Sequence, residues 1–148
     1  GADRVFSVMS DIPKCADVVP GIEKIEILSG PSSAPDDLTA VGVGTRWRET
    51  RKMFGAEATE EMWIEEFDRA KRFYVVAAES HGAKYKTVMS AEPDGADSCI
   101  VRTSMDVTPV SWFAKIMDWI TGWAMAGTVR KMLLDDLQAI KAHVEGSA

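Results

Sequence analysis

The chain is short of the residues from which metal centres and nucleophilic active sites are usually built. It has two cysteines and two histidines in 148 residues. Cys15 and Cys99 have no metal-ligand spacing, and no HExxH, CxxC, phosphate-loop or GxGxxG stretch is present. The sequence therefore implies no metal and no cofactor. Two isolated thiols do not make a disulfide framework, so they read as buried thiols of a reducing, cytoplasmic setting. Positive charge is also scarce: 17 Lys and Arg against 23 Asp and Glu leave a formal charge of −6. That balance opposes attraction to phosphate backbones and anionic lipid surfaces. Nucleic acid is excluded as an expected partner. No apolar run reaches the roughly 18–20 residues of a membrane-spanning helix, so stable membrane insertion is not expected. Nor does a signal-peptide pattern precede Asp3.

What is present is enough apolar material, 46% of residues, for one domain with a core over residues 1–148. Ala2 to Ser10 carries Val5, Phe6 and Met9 at helical spacing, and Pro13 suits the first turn of a second short helix, Lys14 to Val18, stopped by Pro20 and Gly21. Ile22 to Leu28 has the β-branched content of a strand. Gly30 to Val41 holds too many turn formers for a regular element and, being long, is a candidate lid. Strands are predicted over Thr45 to Phe54, Ala56 to Phe67, Phe73 to Ser80, Ala83 to Glu92 and Ser98 to Thr108, joined by short turns as an antiparallel meander. The chain closes with a helix from Ser111, a candidate N-cap, to Glu145. Leu133, Leu137, Ile140 and Val144 mark its inward stripe. Lys115, Arg130, Lys131, Asp135, Asp136 and Lys141 are assigned to its wet side.

This order of elements resembles the helix-grip fold of the START-like, or SRPBCC, superfamily, an α+β fold in which a curved antiparallel sheet wraps a long C-terminal helix. Local text carries the resemblance. "ADRVFSVMSDIPKCADVVPGIEKIEIL" is similar to the opening helix pair and strand, "GVGTRWRET" to a following strand, and "IEEFDRAKRF" to a central hairpin. The branch it most resembles is polyketide cyclase/dehydrase and lipid transport, of bacterial type. Members normally begin with a strand that this chain, opening at Gly1-Ala2-Asp3, does not contain.

The resemblance implies a cavity between the concave sheet face and the last helix. Strand alternation selects its lining. Trp47, Glu49, Arg51 and Met53 share one side, as do Ala58, Glu60, Met62 and Ile64; Tyr85, Thr87, Met89 and Ala91; and Val101, Thr103, Met105 and Val107. From the helix come Trp112, Ile116, Trp119, Ile120 and Trp123. Ligand contacts are thus expected from Trp47, Met62, Ile64, Tyr85, Met89, Val101, Thr103, Met105 and these five. The same side chains would equally suit a filled core. Gly122 and Gly127 lie inside the helix, where close approach of a ligand or strand, or a plain kink, would account for them.

Catalytic signals are few. His81 sits in a hairpin turn and His143 at the end of the last helix, both ordinary places for a histidine. The candidate polar groups are Glu49, Arg51 and Tyr85, with Glu60 beside them. A neutral Glu49 would be able to donate a proton to a ligand carbonyl, whereas Arg51 would pair with it instead. Glu57, Glu60, Glu61, Glu65 and Glu66 together read as a solvated acidic face. Three functions stay open: binding or transport of a hydrophobic small molecule, lipid or polyketide-like; a polyketide cyclase, aromatase or dehydratase; and a protein-interaction module using Trp112, Trp119 or Trp123. The aromatic helix and the missing catalytic signature favour the first and lean against an enzyme, and a homodimer is a candidate assembly.

Overall fold

The computed structural model describes residues 1–53, 55–80, 82–110 and 112–147, with residues 53 and 112–125 described by their backbone alone. The predicted Ser111 cap and His81 lie outside the described residues, as do the side chains of Trp112, Ile116, Trp119, Ile120 and Trp123. Helix α1 (Ala2–Met9) buries Ala2, Phe6 and Met9, which recur at helical spacing. A 3₁₀ turn (Ile12–Lys14) opens on Pro13 and leads into α2 (Cys15–Val18). Six strands follow: β1 (Ile22–Ser29), β2 (Arg46–Met53), β3 (Ala56–Asp68), β4 (Phe73–Ser80), β5 (Ala83–Pro93) and β6 (Cys99–Pro109). They pair antiparallel in sequence order, so β1 and β6 form the two edges. Helix α3 (Trp112–Gly146) closes the chain and packs against α1, α2 and β6.

Registers follow the predicted alternation. Trp47 lies opposite Ile27 and Met62, and Met62 opposite Ala78, which in turn faces Tyr85 across β4 and β5. Met89 pairs with Thr103, and Thr87 with Met105. A bulge between Ile64 and Glu66 changes the side-chain parity of β3, so Ile64 and Phe67 both point inward despite their odd separation. Phe67 thereby meets Phe6 at 5.7 Å and Tyr74 at 6.2 Å between ring centroids. The core joins these rings to Met9, Ile12, Val19, Ile22, Trp47, Ile64, Ala91 and Ile140. Tyr74 donates its buried hydroxyl to the Met9 carbonyl at 2.6 Å, which fastens the end of α1 to the sheet.

The inward stripe of α3 is present: Ile140 is buried, and Leu133, Leu137 and Val144 are partly so. One expectation fails here. Asp136, assigned to the wet side, has a side chain only 17% exposed and points at β2. At Gly127 an added Cβ would meet nothing within 4 Å among the described residues, so no strand approaches that glycine closely. The loop between β1 and β2 is held largely by itself. The Gly30 amide bonds the Pro35 carbonyl at 2.8 Å, the Ser32 amide bonds the Val43 carbonyl at 2.8 Å, and the Asp37 carboxylate accepts from the Thr39 and Ala40 amides. Among the described residues, it lines neither of the clefts beside the second half of α3.

Candidate functional site

Helix α3 crosses the sheet with a cleft on each side. One, of about 530 Å³, opens between α3, the turn after α2 and the end of β2; Pro20, Gly21, Val129, Met132 and Ala139 give it apolar walls, and Arg51 and Asp136 a polar end. The other, of about 500 Å³, runs between α1, β6 and α3, lined by Val5, Cys99, Val101, Leu134, Leu137, Ile140 and Val144 among others. Val101 and Thr103 also border a shallower recess near Leu137.

The polar end is built from two strand positions and one helix position. Glu49 and Arg51 stand two residues apart on β2 and so share the concave face. The Arg51 Nε donates to Glu49 Oε1 at 2.5 Å, and its terminal nitrogen reaches Asp136 Oδ2 at 3.0 Å. Glu49 Oε2 also accepts from the Trp47 indole at 3.3 Å. Glu49 is 6% exposed, so the pairing that the sequence offered as an alternative to a free carboxylic acid is the one adopted. Burial opposes the charge of Arg51, yet Glu49 and Asp136 together hold the guanidinium's value above its ordinary one. At Asp136 burial wins over the attraction of Arg51, and the carboxyl is raised.

Two further polar side chains lie near this cluster. Burial first, then the charges of Glu49 and Asp11, push the Cys15 thiol up to about 12. Tyr74 is raised well above its ordinary value, again chiefly by burial. Neither is therefore an ionised nucleophile at neutral pH. Both cysteines are free, and no group of three or more His, Cys, Asp or Glu that could hold a metal occurs among the described residues.

The other expected contacts divide by depth. Trp47 and Ile64, 2% and 1% exposed, belong to the packed core, whereas Met62, Tyr85, Met89, Val101, Thr103 and Met105 are half-buried on the concave face. Thr103 Oγ1 is buried with no hydrogen-bond partner among the described residues. The acidic run on β3 is split by the pleat: Glu60 lies opposite Glu49 on the concave face, while Glu61 pairs with Arg46 and Glu65 with Lys86 on the convex one. Asp136 is the site residue that sequence reasoning misplaced. Its position, three residues after Leu133 and four before Ile140, already puts it on the inward stripe.

A six-stranded antiparallel sheet gripping a long C-terminal helix, with two short helices at its start, is the helix-grip fold of START-like proteins. The chain belongs to the polyketide cyclase / dehydrase and lipid transport family, which matches residues 1–145. Its structure is similar to that of a protein from Thermus thermophilus (TM-score 0.76, 13% identity, 99% of this chain and 91% of that one). A START superfamily protein from Mycobacterium smegmatis superposes with a TM-score of 0.71 at 18% identity, covering 99% of this chain and 91% of the other. Norcoclaurine synthase from Thalictrum flavum does so with a TM-score of 0.68 at 23% identity, over 99% and 81%. At these identities the likeness is one of fold. No curated protein matches the sequence. No helix among the described residues is long and apolar enough to cross a membrane.

Proposed function

We propose that residues 1–148 act as one START-like domain that binds and carries a hydrophobic small molecule, lipid-like or polyketide-like, in the space between the sheet and α3. The observation that carries this reading is the cleft of about 530 Å³ with apolar walls and a polar end at Arg51 and Asp136. A few convergent polar groups in an apolar concavity orient a ligand while burial of its body supplies affinity. Met62, Tyr85, Met89, Val101 and Met105, half-buried on the concave face, would continue an apolar lining beyond this cleft, over a packed core that holds Trp47 and Ile64. Thr103 adds a buried hydroxyl that a ligand would satisfy; left unbonded, such a group costs about 1–3 kcal/mol. A formal charge of −6 favours a small molecule over nucleic acid.

The test is displacement of a neutral fluorescent probe, N-phenylnaphthylamine, from the wild type and from Ala139→Trp, in which an indole occupies the cleft. Binding to the wild type that falls at least tenfold in the variant supports the reading. Equal binding by both would place the ligand elsewhere.

A second reading, a cyclase or dehydratase, draws on Arg51 and Asp136 bordering one cleft. In that case Asp136, whose carboxyl is raised by burial, would pass its proton to a ligand carbonyl oxygen, and Arg51 would hold the developing enolate oxygen. Turnover of a bound polyketide analogue, lost in Asp136→Asn with binding retained, would establish it.

A further inference from the structure

An arginine at the end of an apolar cleft is the usual receptor for a ligand carboxylate. Here that role is already filled from within. Arg51 is bonded by Glu49 on its own strand and by Asp136 from α3, both of low exposure. Glu60 lies directly opposite Glu49, half-buried on the same concave face, with no hydrogen-bond or ion-pair partner among the described residues. Two carboxylates therefore hold one guanidinium, and Glu60 adds a third carboxylate to the same concave face, which leaves an excess of negative charge inward. The remaining cations of the cleft sit at its mouth. Lys131 is bonded to Asp135 at 2.6 Å in water, and Lys52 alternates with Arg51, so it points to the convex side and is exposed. Exposed charges are screened by solvent, whereas the inner ones are not.

We infer that the polar end of the ligand is a hydrogen-bond donor, a hydroxyl or an amine, and that the site rejects free carboxylic acids. The inference rests on the binding role proposed above and specifies its chemistry. A donor entering beside Arg51 and Asp136 meets carboxylate acceptors. A carboxylate would find Arg51 already paired and only the exposed, solvent-screened Lys52 and Lys131 at the mouth, while repulsion from the inner carboxylates is strengthened by burial.

Three amphiphiles of one chain length decide the matter: dodecanol, dodecylamine and dodecanoate, each displacing N-phenylnaphthylamine from the protein at pH 7.5, below the concentrations at which they form micelles. Dodecanol and dodecylamine should bind at least tenfold more tightly than dodecanoate. Asp136→Asn, which frees Arg51 from one carboxylate, should narrow the gap by at least threefold, and Glu60→Gln, which leaves every described ion pair intact, should narrow it in the same direction. Dodecanoate binding as well as dodecanol would overturn the inference, as would a gap unchanged in both variants. If neither dodecanol nor the probe binds the wild type, the binding role itself falls and takes the inference with it.

Discussion

Replacing Arg51 with methionine tests the buried cluster most severely. The change keeps much of the apolar stem and removes the only cation within reach of Glu49 and Asp136 among the described residues, whose side chains are 7% and 17% exposed. Glu49 would keep the long bond from the Trp47 indole, while Asp136 would keep none among the described residues. Removing one partner of a buried pair costs about 3–5 kcal/mol, because the desolvated charge left behind has nothing to offset it. In a chain of 148 residues each kcal/mol moves the melting temperature by about 3 °C, so the variant should melt about 10–15 °C below the wild type at pH 7. Adding Asp136→Asn should return part of the loss, since one of the stranded charges is then absent. Differential scanning calorimetry of wild type, single and double variants measures both effects. A single-variant loss under about 1 kcal/mol would mean that water solvates the cluster, and the reasoning would fail.

Other expectations follow from separate parts of the molecule. Tyr74→Phe removes the hydroxyl that satisfies the buried Met9 carbonyl and should cost about 1–2 kcal/mol in urea denaturation; no loss would mean that the bond is replaced by water. Phe6→Ala empties the centre of the Phe6, Phe67 and Tyr74 cluster and should cost about 3–5 kcal/mol in the same assay. Because the Cys15 thiol is pushed up to about 12, only about one part in ten thousand is thiolate at pH 8, and iodoacetamide should leave Cys15 unlabelled in the native protein while labelling it after unfolding. The carboxyl of Asp136 is raised on folding, so its contribution to stability is full below the ordinary value of 3.8 and is lost as pH rises through the raised one. Wild type should therefore lose ground to Asp136→Asn as the pH rises above the ordinary carboxyl value, and a wild type that gains ground would reverse the sign of the argument.

Much of the fold is legible because local signals agree. Pro13, the Pro20-Gly21 stop, the Gly55 and Gly82 turns with φ of 78° and 77°, and strict alternation along β2 and β5 all mark elements where they occur. The concave-face sets on β2, β3, β5 and β6 follow from the same alternation, and the β3 bulge leaves the Ala58 to Ile64 set intact because it falls after Ile64. The candidate site is legible only in its strand half. Glu49 and Arg51 fall on one face by parity, but their third partner, Asp136, lies 85 positions beyond Arg51. Charge type sends Asp136 to water, while its helical position sends it inward; position decides, and Arg51 offsets part of the cost of burying a carboxylate. The packing of Cys15 under Glu49 and Asp11 has no sequence signal either, since α2 is too short to show periodicity.

The most direct test of the central claim is native mass spectrometry of the freshly purified protein, followed by organic extraction and identification of whatever it carries. Cargo-bearing protein should show a near-stoichiometric mass increment, and the extract should contain a hydrophobic molecule ending in a hydroxyl or amine. A bare mass in which Ala139→Trp and wild type also bind N-phenylnaphthylamine equally would contradict the account of the cleft as a ligand site.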